Sequence, residues 1–390
     1  MSLVVDEHRQ YLSDEARVSA FREAIREVVH PGDVVLDLGA GTGILGLLAC
    51  QSGAKRVYSI DEGGMIELAR EICRANGFDD RMTFIKGLST RVDLPERVDV
   101  VVADQIGRFG FEAGLLDYFI DARKRFLKPG GVMIPSRVDL CVAPVECPEM
   151  RDQVEFWNNS SVGFNLRPAR SLAVNTGYPV KLRAEHLLGD PVSAASLDLS
   201  VEIRESLKSL HLETSIVAKR TGSLHGIGGW FSAQLSGNVM MSNSPLATHR
   251  INRMNVFFPI NRPVELAKGD SVRIVMQIVP AELIVTWKVE VWGEAEKHQG
   301  QGQPVKKAGF AHSTFQGMLV SKEDLQKTQP HFVPKLSPWG EARRSVVNLC
   351  DGRKTLAEIE QETYRLHPRL FPSLGKAAEF VAEVVTRYSV

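Results

Sequence analysis

Residues 34–43 read VVLDLGAGTG, and this stretch decides the fold. Three apolar residues, Val34, Val35 and Leu36, run into Asp37, and Gly39, Gly41 and Gly43 follow at alternate positions. Ile44, Leu45, Leu47, Leu48 and Ala49 then make an apolar run without proline, which reads as a helix. Strand, glycine turn and helix open a ligand-binding βα unit. The backbone must turn sharply there and let a ligand lie against it, and glycine has no Cβ to prevent either. The spacing is G-x-G-x-G after an acid, not the G-x-G-x-x-G of dinucleotide sites. A second acid stands where such a site needs one. Asp61 follows the strand-like Val57-Tyr58-Ser59-Ile60, and an acid ending the second strand can accept from both ribose hydroxyls.

Outward from this stretch the pattern alternates. Residues 5 to 29 are polar and helical, with Val18, Phe21, Ile25 and Val28 on one side, and Pro31-Gly32 breaks them off. Met65 to Ala75 predicts a helix, Met82 to Ile85 a strand, and Val98 to Val102 another strand ending at Ala103-Asp104. Glu112 to Leu127 reads as helix, Lys128 to Gly131 as a turn and Val132 to Ile134 as strand. Residues 31–137 therefore predict a Rossmann-like α/β domain with a parallel, doubly wound sheet, preceded by a helical segment over 1–30. From Arg137 to about Phe315 short β-rich runs recur between turn signals such as Gly189-Asp190-Pro191 and Lys268-Gly269-Asp270. This predicts an all-β barrel domain over 138–318, with the polar loop His298 to Pro304 inside it or at its rim. Residues 319–390 turn helical again, with Thr355 as an N-cap, and form a small third domain.

Bulk composition excludes several classes. The 390 residues are 44% hydrophobic, enough for large cores. Forty-seven basic residues balance 47 acidic ones, so no global field draws the chain to nucleic acid or a membrane surface. Cys50, Cys73, Cys141, Cys147 and Cys350 include no C-x-x-C pair, and the ten histidines lack metal-ligand spacing, so no metal site is expected. No apolar run is long enough to span a bilayer and no signal peptide stands at the start. A soluble, cytoplasmic protein is expected.

The glycine spacing with its two acids is similar to that of S-adenosylmethionine methyltransferases. From about residue 7 to about residue 295 the chain resembles the protein arginine methyltransferases, a Rossmann-like domain followed by a β-barrel. The resemblance implies S-adenosylmethionine as cofactor and a peptide or protein arginine as acceptor. EHRQYLSDEAR (7–17) looks like the segment that covers the cofactor, placing His8 beside it and Arg17 on its methionine carboxylate, for which an Arg fork is suited. By the same match Gly39 and Gly41 line the methionine part and Asp61 holds the ribose. KGLSTRVDLP (86–95) matches the stretch beside the adenine, with Thr90 where the family often has Glu, which leaves a backbone contact at Thr90.

VVADQIGRFGFEAGLLD (101–117) resembles the family's double-glutamate loop, with Asp104 in place of the first Glu and one residue fewer before Glu112. A guanidinium is not deprotonated at neutral pH, so two acids can grip its donor fork and aim one nitrogen at the methyl group. SPLATHRINRMNVFF (244–258) resembles the Thr-His-Trp loop, with Thr248 and His249 kept and Arg250 replacing the Trp. In the family this His pairs with an Asp that maps onto Asp14. Arg250 would repel an incoming guanidinium unless it pairs with an acid or points away. Residues 157 to 186 match the family's dimerisation arm, which implies a homodimer. VVNLCDGRKTLAEIEQETYRLHP (346–368) resembles the helical half of PqqD-like winged-helix domains, which bind leader peptides, and so implies substrate recruitment. Two alternatives stand beside this reading: a methyltransferase for another nucleophile, such as a metabolite whose carboxylate meets Arg250, and a non-catalytic cofactor-binding partner protein.

Overall fold

A computed structural model describes residues 4–159, 162–201, 209–293 and 304–389. The chain divides into two compact units, Met1–Met318 and Leu319–Val390.

The first unit begins with two helices, α1 (Val4–Ser13) and α2 (Glu15–Val28), where the sequence reads as one. Asp14 causes the break: its side chain accepts from the backbone N–H of Arg17 and caps α2. Phe21 and Ile25 of α2 are fully buried, whereas α1 buries none of its residues. Next come β1 (Val34–Leu38), α3 (Ile44–Gln51), β2 (Arg56–Asp61), α4 (Met65–Ala75), β3 (Met82–Lys86), β4 (Val98–Ala103), α5 (Leu115–Arg125) and β5 (Leu127–Ile134). Their order in the sheet is β3-β2-β1-β4-β5, all parallel. The order reverses between β1 and β4, which places the crevice at the carboxyl ends of those two strands, where Asp37, the glycine loop and Asp104 lie. All five residues of β1 are buried, as a central parallel strand covered on both faces requires. Two expectations shift. Lys128 to Gly131 lies inside β5 as an irregular stretch, and α5 starts three residues after Glu112, behind Gly114 in the left-handed region.

The antiparallel part comprises β6 (Arg137–Val145), β7 (Tyr178–Val180), β8 (Val192–Asp198), β9 (Leu210–Val217), β10 (Gly222–Gln234), β11 (Met240–Ser242), β12 (Asn255–Leu266), β13 (Ser271–Val279), β14 (Ile284–Trp292) and β15 (Lys306–Ser313), with α6 (Pro148–Glu155) and α7 (Arg170–Ala173) after β6. Expected as a barrel, it is hydrogen-bonded as two sheets, β7-β12-β10-β6-β8 with β11 on β10, and β15-β14-β13-β9. The sheets share a core: Trp287 of β14 donates its indole N–H to the Pro259 carbonyl of β12 at 2.8 Å and packs on Phe258. That core is continuous with the parallel sheet's. Most of the loop expected at His298 to Pro304 lies outside the described residues.

The second unit holds α8 (Lys322–Lys327), α9 (Pro338–Leu349), α10 (Leu356–Leu366) and α11 (Leu374–Tyr388). Thr355 caps α10 in a capping box, with its N–H on Glu358 Oε2 at 2.7 Å. Val346, Ile359, Val381 and Val384 form its core. No strand occurs among the described residues of this unit, which is helical as expected. No helix among the described residues is long and apolar enough to cross a membrane.

Candidate active site

The glycine loop is shaped by three left-handed residues: Gly39 at φ 70°, Gly41 at 53° and Gly43 at 74°. A side chain at any of them would be strained. A Cβ on Gly41 would also fall on the His8 ring, so α1 sits directly over the loop, as the cover-segment reading expected. Asp61 at the end of β2 binds the loop to the neighbouring turn: Oδ2 accepts from Gly41 N–H at 2.8 Å and Oδ1 from Gly63 N–H at 2.7 Å. Each oxygen retains a lone pair for a hydroxyl donor. Asp37 lies below the loop, fully buried. Its Oδ2 accepts from Gly46 N–H at 2.9 Å, and burial pushes its pKa to about 7.

Two cavities meet at Gly39. The smaller, about 150 Å³, is lined by Asp61, Gly87, Leu88, Ser89, Gln105 and Tyr118 among others. The larger, about 510 Å³, runs from His8 and the glycine loop to Asp104, Glu112 and Arg253. The Thr90 side chain is exposed and lines neither cavity, while its neighbours Leu88 and Ser89 line the smaller one. The reason is the 3-10 turn at Ser89–Arg91, which buries Ser89 and turns Thr90 to solvent.

The loop from Asp104 to Glu112 is fixed by its apolar residues. Ile106, Phe109 and Phe111 are buried, and Phe109 packs on Phe258 of β12 with ring centres 5.6 Å apart. Glu112 folds back on this loop. Its carboxylate accepts from Phe109 N–H at 2.9 and 3.0 Å and from Phe111 N–H at 3.3 Å, which fixes its direction. Asp104, with a side chain only 8% exposed, accepts on Oδ2 from Arg17 Nε at 2.5 Å and Arg253 Nη2 at 2.8 Å. Burial alone would raise its pKa, but the charges of Arg253 and Arg17 outweigh it and hold the carboxyl below its ordinary range. Arg17 thus stands between the glycine loop and the acid pair. Its Nη1 donates to the Tyr11 carbonyl at 3.3 Å, and the rest of the fork is free to meet a carboxylate.

The expected His249–Asp14 pair is not formed. Asp14 accepts on Oδ1 from Arg17 N–H and on Oδ2 from Asn252 N–H at 2.7 Å, so it clasps the same loop through backbone. His249 is exposed and makes no hydrogen bond or ion pair among the described residues. Arg250 points away from the acids. It donates to the Leu182 carbonyl at 2.6 Å and Asn255 Oδ1 at 2.8 Å, neutral oxygens outside the cavity. A second cation joins Arg17 on Asp104: Arg253, which the sequence reading missed. No spacing signal reported it, because residues 251–254 are a bent loop in which the Arg253 N–H turns back to the Ile251 carbonyl at 2.9 Å. Asn243 was also missed. Fully buried, it donates to the carbonyls of Arg108 at 2.8 Å and Met254 at 2.9 Å and accepts from Phe231 N–H at 3.0 Å, stapling the acid loop to the Arg253 loop.

A further cluster lies on the antiparallel part, where donor atoms of Cys147, Glu149 and His186 fall within 4.8 Å of one another. Arg183 Nη2 sits 2.7 Å from His186 Nε2, so a cation there meets a competitor.

Known proteins are similar to this chain in sequence and in fold. Residues 136–292 match the arginine methyltransferase oligomerization subdomain, and residues 21–138 match the ribosomal protein L11 methyltransferase family. Protein arginine N-methyltransferase 6 of Xenopus laevis is 32% identical over 249 residues, 61% of this chain and 73% of its own length. That of Danio rerio is 28% identical over 307 residues, 75% of this chain and 88% of its own. In fold the chain is similar to the Trypanosoma brucei PRMT1 enzyme-prozyme heterotetrameric complex with AdoHcy (TM-score 0.68, 20% identity, 78% of this chain and 97% of that one). Protein arginine methyltransferase 10 of Arabidopsis thaliana is equally similar (TM-score 0.68, 22% identity, 79% and 97%). Two acids facing a glycine loop, in a chain with these relatives, make it a member of the protein arginine N-methyltransferase family.

Proposed function

We propose that the protein transfers a methyl group from S-adenosylmethionine to the guanidinium of a peptide or protein arginine. The observation that carries this reading is the larger cavity, in which Glu112 and Asp104 face the glycine loop across Arg17. The residues present fit the cofactor. Asp61 keeps lone pairs for ribose hydroxyls, Gln105 Oε1 is a buried acceptor without a partner beside Gly39, and the free part of the Arg17 fork suits a carboxylate. When bound, the cofactor supplies an electrophilic methyl on a sulfonium sulfur. The chain's own work is positioning. Glu112, held by three contacts from backbone N–H groups, and Asp104, held by two arginines, grip a planar cationic donor fork without having to deprotonate it. Asp14 and the buried amide of Asn243 keep the two halves of the grip at fixed separation.

The alternative acceptor carboxylate at Arg250 loses its support, because that side chain is outside the cavity on neutral oxygens. Finer features follow the family. The exposed Phe156 and Phe164 in and beside residues 157–186, within the oligomerization subdomain, support a homodimer formed through that arm. The capped α10 and its apolar core support a peptide-recruiting role for residues 319–390. The five cysteines are all unpaired, as a reducing compartment keeps them, which supports a cytoplasmic location.

The test is a methyl-transfer screen with isotopically labelled cofactor against free arginine, arginine-rich peptides and small proteins, read by mass spectrometry. Label on an arginine side chain is the expected result. Label on another atom would overturn the acceptor, and no label with cofactor bound would favour the non-catalytic reading.

A further inference from the structure

Arg253 enters the acid pair from the loop before β12, and no step of the proposed reaction requires it. Its Nη2 donates to Asp104 Oδ2 at 2.8 Å, its Nη1 to the Gly107 carbonyl at 3.3 Å, and its guanidinium carbon lies 5.7 Å from the centre of the Phe231 ring. Arg17 donates to that same Oδ2. Two cations therefore meet on one oxygen, while Asp104 Oδ1 is buried with no hydrogen-bond partner. A buried carboxylate oxygen without a donor is unfavourable unless something completes it. This one belongs to a residue lining the cavity in which an acceptor guanidinium is to be held.

We propose that Arg253 is a positioning residue of the acid clamp: by holding Oδ2 of Asp104, it leaves Oδ1 as the one oxygen of that carboxylate offered to the acceptor. This rests on the arginine-methyltransferase reading above. The need for Arg253 follows from the other tasks of Arg17. Arg17 sits beside the glycine loop and shares its fork with the Tyr11 carbonyl, so it cannot serve a cofactor carboxylate and Asp104 with its whole charge. Among the described residues Arg253 forms an ion pair with no carboxylate other than Asp104. The acceptor then meets a clamp of one open Asp oxygen and the Glu112 carboxylate, in place of two fully open acids.

The charge on Asp104 is the quantity to measure. The groups lining the cavity with it are Arg17 and Asp14 from α2, His8 and Tyr11 from α1, Glu112 and Arg108 from the loop after β4, and Arg253 itself. Burial opposes ionisation, and the two arginines reverse it. A carboxyl depressed in this way stabilises the fold above its unfolded pKa of about 4 and loses that contribution as pH falls. With Arg253 removed, burial faces Arg17 alone and the carboxyl rises. Arg253→Gln should then lose stability as pH climbs from about 4 toward 7, so the gap in Tm between the parent and the variant opens with pH.

The experiment measures Tm of parent, Arg253→Gln and Arg253→Lys from pH 4 to 8, together with the pH profile of kcat/KM on an arginine peptide. The expected result is a gap that widens with pH for Arg253→Gln, an acid limb displaced upward by about one pH unit or more, and near-parent behaviour of the limb for Arg253→Lys. A gap of constant size with an unmoved limb would show packing alone and overturn the proposal. If Arg253→Gln does not fold at pH 7, it should fold at pH 5, where Asp104 is neutralised; failure at both also overturns it. Should the parent methylate no arginine peptide while the gap still opens with pH, the acceptor reading falls and the role of Arg253 on Asp104 stands.

Discussion

The two halves of the candidate site are built by opposite strategies. The cofactor side is local. Gly39, Gly41, Asp61 and Gly63 lie within 25 residues of one another, on the ends of adjacent strands, and the contacts among them are backbone N–H to carboxylate. The acceptor side is assembled from three distant segments. Asp104 comes from the end of β4, Arg17 and Asp14 from α2, and Arg253 from the loop before β12, with sequence separations of 87 for Arg17–Asp104, 149 for Arg253–Asp104 and 238 for Asp14–Asn252. A short loop can be fixed by glycine conformation and a few hydrogen bonds. A three-segment grip for a charged fork needs a buried staple and balanced charge. The cofactor side is therefore expected to tolerate loss of the acceptor side, and single changes sort the two.

The largest effect should come from Asn243→Ala. Phe231 N–H and the Arg108 and Met254 carbonyls lose their buried partner, and we expect a stability loss of about 3 kcal/mol in chemical denaturation. A loss below about 1 kcal/mol would mean that the two loops hold each other without the staple. Glu112→Gln comes next. It retains an oxygen for the backbone N–H groups but gives up the charge, so arginine-peptide turnover should fall roughly 100-fold while calorimetric cofactor affinity stays at the parent value. Parent-rate turnover would remove the clamp from the mechanism. Asp61→Ala should do the reverse, weakening cofactor binding by roughly 1–3 kcal/mol. Gly41→Ala forces φ 53° on a residue with a Cβ and drives that Cβ against His8, so it should cost about 1–2 kcal/mol of stability. Adding His8→Ala should recover only the steric part, and full recovery would show that the backbone is unstrained. Thr90→Ala should change neither affinity nor turnover, because its side chain is exposed outside both cavities.

These contrasts follow how far each half could be read from the chain. VVLDLGAGTG with Asp61 was legible because a strand-turn-helix and its second-strand acid are set by neighbours in sequence. The acid loop was legible in its members, Asp104 and Glu112, but not in its state. That Glu112 turns back on Phe109 N–H depends on Phe109 being anchored against β12. The loop of residues 244–258 was located, but its partners were not. Thr248 and His249 matched a motif, yet the residue reaching the acids is Arg253, and the partner of Asp14 is the backbone of Asn252 rather than His249.

The sequence by itself determined the parallel sheet, the glycine loop, the acid that ends the second strand and the Thr355 cap of α10, all of which depend on contacts within a few residues or on hydrophobic period, while Asp104 and Glu112 were singled out by the family resemblance. Only the tertiary structure decided which arginine faces the acids, that Asp104 is shared by two cations, that Arg250 is turned to neutral carbonyls, and that Asn243 joins the two loops. The physical reason is that charge state and side-chain direction in a buried site are set by the nearest charges in space. Here the charges that set Asp104 lie 87 and 149 residues away along the chain, where no periodicity or motif spacing reports them.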